Sequence, residues 1–134
     1  NTKDLPLVFP VHTRTAKILK NLGISHDRLH MIEPLGYLEF NYLVERSKAV
    51  ITDSGGITEE TTVMGIPCMT LRNSTERPET VDIGTNELLG VNPEAIQPAL
   101  EKLFEDQWKK GGIPKLWDGK TSGRIVKHLV ELLS

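Results

Sequence analysis

Ala49-Val50-Ile51-Thr52-Asp53-Ser54-Gly55-Gly56-Ile57-Thr58-Glu59-Glu60-Thr61-Thr62-Val63-Met64-Gly65-Ile66-Pro67-Cys68-Met69-Thr70-Leu71 is the stretch on which the fold turns. Ala49–Thr52 is a short apolar, β-branched run that stops at Asp53, as a strand buried on both faces does. Ile57–Met64 reads as a helix, closed by Gly65 and followed by Pro67. Cys68–Leu71 is apolar again and predicts another strand. Short strands alternating with helices indicate a parallel sheet, because parallel strands need crossover connections. Working outward, the rhythm continues. Leu7–Val11 predicts a strand. Thr13–Leu22 predicts a helix with Ala16, Ile18, Leu19 and Leu22 apolar before Gly23. Leu29–Ile32 predicts a strand, and Gly36–Ser47 a helix with Leu38, Tyr42 and Leu43 near one face. Glu87–Val91 is a fifth candidate strand. Pro93–Phe104 and Ser122–Leu133 carry Ile96, Leu100, Leu103, Phe104 and Ile125, Leu129, Leu132, Leu133 at helical spacing, which predicts two packing helices. The fold class is therefore α/β, with a Rossmann-like parallel sheet and helices on both faces. Arg72–Thr85 and Lys110–Thr121 interrupt the rhythm with polar residues, Gly and Pro. Loops of that length in a compact domain are often functional.

The chain has 134 residues, 38% of them hydrophobic and 25% charged, which suits one domain with its own core. Its 16 basic and 18 acidic side chains leave a net charge of -2, so neither a nucleic-acid backbone nor an anionic membrane is an expected partner. No apolar run approaches the roughly 20 residues needed to span a bilayer, and Asn1–Leu5 lacks the zones of a secretory signal. The expected location is the cytoplasm. Cys68, the only cysteine, lies in an apolar run and reads as a small buried hydrophobe. His26, His30 and His128 have no spacing that suggests a metal site. No metal and no cofactor are expected.

Asp53-Ser54-Gly55-Gly56 sits where a strand hands over to a helix, the carboxyl edge at which open α/β sheets bind ligands. The glycines allow close approach of the backbone, Ser54 offers a hydroxyl, and the first N–H groups of the next helix have no partner of their own. Together these make an anion pocket suited to a diphosphate. The same residues also suit a plain tight turn, with Ser54 or Asp53 capping the helix. Glu59 and Glu60 complement the helix dipole, worth about 0.3–1 kcal/mol. Both cannot face a phosphate, and Glu60 has the placing to accept two ribose hydroxyls, as acidic residues of dinucleotide-binding folds do. Arg77 offers a planar charged fork for a phosphate or carboxylate, or else pairs with Glu76 or Glu79. Phe40 on its helix is either core or a surface for a base. His12 is a lone histidine just after a strand.

Thr52–Glu60, followed by Gly65-Ile66-Pro67 and Thr75-Glu76-Arg77-Pro78-Glu79, resembles the non-hydrolysing UDP-N-acetylglucosamine 2-epimerases. The likeness extends from Pro10-Val11-His12 through Ile32–Phe40 to Gly84-Thr85 and Asp118-Gly119. It implies a partial C-terminal half of a two-domain glycosyltransferase-B fold, with UDP held mainly by this half. Carried over by motif, Ser54, Gly55 and Gly56 bind the diphosphate, Glu60 the ribose, and the segment around Phe40 the uracil. Arg77 lies near the ligand, and His12 matches a histidine of a second, regulatory nucleotide-sugar site. Asp118–Ser122 resembles the family's glycine-containing approach to the last helix, with Lys120 near phosphate or Thr121 or Ser122 as a cap.

In the family the reaction resembles elimination of UDP and its re-addition with inversion at carbon 2. The carboxylates for that chemistry belong to an N-terminal domain, so no catalytic residue is expected in residues 1–134, which read as a single UDP-sugar-binding domain. Alternative readings are a stand-alone, non-catalytic nucleotide-sugar-binding or interaction module, or half of a hydrolysing epimerase or glycosyltransferase. Leu7–Val11 matches the second strand of the family's domain, whose first strand is central. Its lack predicts an opened sheet, mended by a neighbouring strand or by a second copy of the chain in a homodimer.

Overall fold

The computed structural model describes residues 3–134; within Asn1–Leu5, Asn1 and Thr2 lie outside the described residues. The chain forms two compact units, Asn1–Leu43 and Val44–Ser134. In the first, β1 (Leu7–Pro10) is followed by α1 (Thr13–Asn21), β2 (Leu29–Ile32) and α2 (Tyr37–Glu45), which runs across the division. In the second come β3 (Val50–Thr52), α3 (Ile57–Met64), β4 (Cys68–Thr70), α4 (Pro78–Asp82) and β5 (Asn86–Leu88). A 3₁₀ turn at Pro93–Ala95, α5 (Ile96–Phe104) and α6 (Thr121–Leu133) complete it. Every strand pair is parallel: β1 with β2 in the register Leu7 to Leu29, β3 with β4 from Val50 to Cys68, and β4 with β5 from Cys68 to Asn86. The α/β, Rossmann-like class expected from the alternation is the class observed.

The pairing divides into two sheets, β1-β2 and β3-β4-β5.

In the second unit the middle strand carries the core. Cys68 and Met69 on β4 are fully buried, and Met69 packs with Ala99 and Leu103 of α5 and with Trp108. The Trp108 indole Nε1 donates to the Thr85 carbonyl at 2.8 Å, so the residues after α5 are tied to the approach to β5. Burial pushes the Cys68 thiol up in pKa, opposed by hydrogen bonds with Thr61 and Thr70. Much of this interior is polar but satisfied. Asn86, fully buried on β5, accepts from Thr70 Oγ1 at 2.6 Å and donates to Thr80 Oγ1 at 3.1 Å. Thr85 Oγ1 donates to the Ile66 carbonyl at 2.6 Å.

The expectation of α6 as a packing helix is corrected, and on α1 and α2 the structure decides which residues are covered. On α2, Leu38 and Tyr42 are 77% and 63% exposed, whereas Val44 is buried and Phe40 half-buried; the packed face is turned from the one the apolar pattern suggests. On α1, Ile18 and Leu22 are exposed while Ala16 and Leu19 are half-buried. α6 buries no residue, and Ile125, Leu129, Leu132 and Leu133 all lie on the surface. Its amphipathic pattern is that of a packing helix, but its apolar side has no cover within the described residues. The short α4, unforeseen in the Arg72–Thr85 loop, begins on Pro78 and buries Thr80. No helix is long and apolar enough to cross a membrane among the described residues.

Candidate nucleotide-binding site

The Asp53–Gly56 loop joins β3 to α3 at the carboxyl edge of the three-stranded sheet. Its shape is held from within. Ser54 N–H donates to Thr52 Oγ1 at 3.0 Å, and Thr58 Oγ1 donates to the Gly55 carbonyl at 2.7 Å. No side chain caps α3, whose N-cap residue is Gly56. Neither Asp53 nor Ser54 therefore acts as the helix cap that a plain turn would explain. The N–H groups of Gly55, Gly56, Ile57 and Thr58 have no acceptor among the described residues, and the exposed Ser54 hydroxyl is also without one. Oriented donors at a helix start are the chemistry of an anion pocket. Gly56 has φ -69°, open to any residue, and a methyl group there would meet nothing within 4 Å. The glycine leaves space above the backbone and relieves no strain.

The two acidic residues of α3 have separate surroundings. Glu59 is bound by Arg77 through its Nε. That hydrogen bond, reinforced by the charge, holds the Arg77 guanidinium above its ordinary pKa. Among the described residues Arg77 thus forms an ion pair with neither Glu76 nor Glu79, the partners sequence proximity suggests; of those two, only Glu76 accepts from it, through its carbonyl at 3.4 Å. Arg77 Nη2 makes no hydrogen bond among the described residues. Glu60 is half-buried, and its carboxylate has no partner among those residues. Ser54, Gly55, Gly56 and Glu60 therefore share one loop and the helix turn after it, with Arg77 tied to the same helix.

His12 and Phe40 belong to the first unit. His12 occupies the N-cap position of α1 (φ -65°, ψ 146°) but makes no capping bond, and its imidazole is exposed without a partner among the described residues. On either side of it, Val11 and Thr13 line an open depression of about 730 Å³ that also includes Lys20, Met31 and Glu33. Near the last helix, Lys120 N–H donates to Asp118 Oδ1 at 3.0 Å, and Arg124 Nη1 spans both Asp118 oxygens at 2.9 Å each. Asp118, not a side chain of Thr121 or Ser122, organises the start of α6, where no side-chain cap bond forms. The Arg124 hydrogen bond and the Lys120 N–H hold its carboxyl below the usual range.

Arg72 was not singled out by sequence reading. It lies two residues past the end of β4, and a methyl group on Gly55 would lie 3.7 Å from its Nη1. The available signal was positional, an arginine just past a buried parallel strand at the ligand-binding edge.

The model of the UDP-N-acetylglucosamine 2-epimerase family covers residues 1–130. The chain belongs to that family. UDP-N-acetylglucosamine 2-epimerase of Methanocaldococcus jannaschii is 40% identical over 133 residues, 94% of this chain and 35% of the relative. The crystal structure of the M. jannaschii epimerase with UDP-GlcNAc and UDP superposes at a TM-score of 0.80 with 39% identity, over 96% of this chain and 36% of that one. S. aureus MnaA with UDP gives a TM-score of 0.84 at 36% identity, over 98% and 37%. The chain thus spans about a third of the length of the epimerases it matches. It shares their Rossmann-like fold over that third.

Proposed function

We propose that this epimerase-family chain grips UDP and UDP-N-acetylhexosamines, serving the interconversion of UDP-GlcNAc and UDP-ManNAc as the nucleotide-holding part of a cytoplasmic 2-epimerase. The observation that carries the reading is the uncapped, donor-rich Ser54–Gly56 loop with the unpartnered carboxylate of Glu60 one helical turn beyond it. In the proposed complex the loop N–H groups and the Ser54 hydroxyl donate to diphosphate oxygens. Glu60 accepts from both ribose hydroxyls, and Arg77, held by Glu59, offers its remaining nitrogen to the ligand. His12 serves a second nucleotide-sugar site, for which the adjoining depression leaves room. Residues 1–134 act as the binding region and supply no catalytic group.

Calorimetric titration with UDP tests the reading. Saturable one-site binding, weakened about tenfold or more by Ser54→Ala or Glu60→Ala, is expected if each removes a hydrogen bond to a charged partner or a paired ribose contact. No binding at millimolar UDP would sink it. The alternative, a stand-alone binding module without catalysis, predicts UDP binding but no epimerisation of UDP-GlcNAc under any assembly state. The uncovered apolar face of α6 supports a partner for the chain, either a second copy or an N-terminal catalytic half. Sedimentation equilibrium decides between them, with a mass of two chains supporting the homodimer.

A further inference from the structure

The chain has six arginines. Arg28, Arg46, Arg77 and Arg124 pair with carboxylates, and Arg14 is exposed on α1. Arg72 differs from all of them. It is half-buried, and among the described residues no carboxylate, carbonyl or hydroxyl engages its guanidinium. A guanidinium partly withdrawn from water without an acceptor loses hydration that nothing in the protein replaces.

The backbone holds this residue at the site. Immediately before it, Leu71 N–H donates to the Thr52 carbonyl at 2.8 Å, at the end of β3. The Arg72 carbonyl accepts from Gly90 N–H at 3.2 Å, just past β5. Its Cα is thus fixed between the carboxyl ends of the two strands that flank β4, and its side chain reaches the loop, with Nη1 3.7 Å from where a Gly55 methyl would stand. Charge balance points the same way. A helix N-terminus carries only about half a positive charge, whereas a diphosphate carries more than one negative charge. Asp53 and Glu60 add acid in the same segment, and Glu59 already neutralises Arg77. Arg72, beside this loop, has no carboxylate partner among the described residues.

We propose that Arg72 is a further phosphate-binding residue of this chain, donating from its guanidinium to a diphosphate oxygen held over Gly55 and Gly56. The inference rests on the UDP reading of the loop and adds to it the residue that supplies the full positive charge. A planar fork can bind two oxygens at once, so lysine is a partial substitute and glutamine a poor one.

The test is calorimetric titration of the chain with UDP in the unsubstituted form and as Arg72→Ala, Arg72→Gln, Arg72→Lys and Ser54→Ala, with the melting temperature of each. Arg72→Ala and Arg72→Gln are expected to lower UDP affinity about tenfold or more, Arg72→Lys less, with melting temperatures little changed. If Arg72→Ala melts early, Arg72→Gln, which keeps most of the side-chain length, decides. Undiminished UDP affinity in Arg72→Gln alongside a weakened Ser54→Ala would overturn the role of Arg72 and leave the loop reading intact. Equal losses in Arg72→Lys and Arg72→Gln would also overturn it, because charge would then be irrelevant. Failure of the unsubstituted chain to bind UDP removes both.

Discussion

Gly56 and Gly84 are glycines for opposite reasons. Above Gly56 there is open space, and its backbone angle suits any residue. Gly56→Ala is therefore expected to leave stability within about 0.5 kcal/mol while weakening UDP binding, because its methyl group enters the volume proposed for phosphate. Urea unfolding and titration on the same sample check the two halves. At Gly84 a Cβ would stand 2.6 Å from the Thr80 carbonyl and collide with Thr62. Backbone cannot yield as a side-chain tip can, so Gly84→Ala is expected to cost about 1–3 kcal/mol by urea unfolding. The placement of Gly55-Gly56 between a strand and a helix was legible in the sequence. The packing reason for Gly84 was not, since Thr62 and Thr80 approach it only in the folded chain. Arg77 teaches the same lesson: its neighbours in sequence are Glu76 and Glu79, but its partner is Glu59 on another helix.

Most strands and helices were legible in the alternation of apolar runs with helical periods. α3 spans the residues expected, and β1, β2, β3 and β4 fall within a residue or two of their expected bounds. The fifth strand is Asn86–Leu88 rather than Glu87–Val91, and the shift has a chemical cause. Asn86 belongs to the strand because its amide is satisfied on both sides, by Thr70 of β4 and Thr80 of α4. Propensity alone disfavours asparagine in a strand. Asn86→Ala leaves the Thr70 hydroxyl without its acceptor and opens space in a fully buried position, and is expected to cost about 1–3 kcal/mol. Denaturant titration followed by Trp108 fluorescence measures it, since the indole is bound to the adjacent Thr85 carbonyl. α4 escaped the sequence reading because five residues starting on proline are too few to show a helical period. On α2 and α6 the period was visible, but which face it buries was not.

Over the whole molecule, the second unit has a core centred on Met69, Ala99, Leu103 and Trp108, and Cys68 lies beside it on β4 with no exposed surface. The thiol is both covered and held in its neutral form. Its reaction with a thiol reagent at neutral pH is expected to proceed at the rate at which Val44–Ser134 opens, so stabilising denaturant-free conditions slow it and low urea speeds it in step with unfolding. Fast modification of the folded chain would contradict the burial. The sequence by itself determined the alternating α/β order, the strand-to-helix position of the Asp53–Gly56 loop and the family, because these depend on local periodicity, on turn chemistry and on motifs whose residues lie close together. Only the tertiary structure decided which apolar faces are buried, that Arg77 belongs to Glu59, and that Arg72 lies beside Gly55 without a counter-charge among the described residues. Those outcomes depend on which distant backbone segments come within a few ångströms of one another, and no local pattern encodes that.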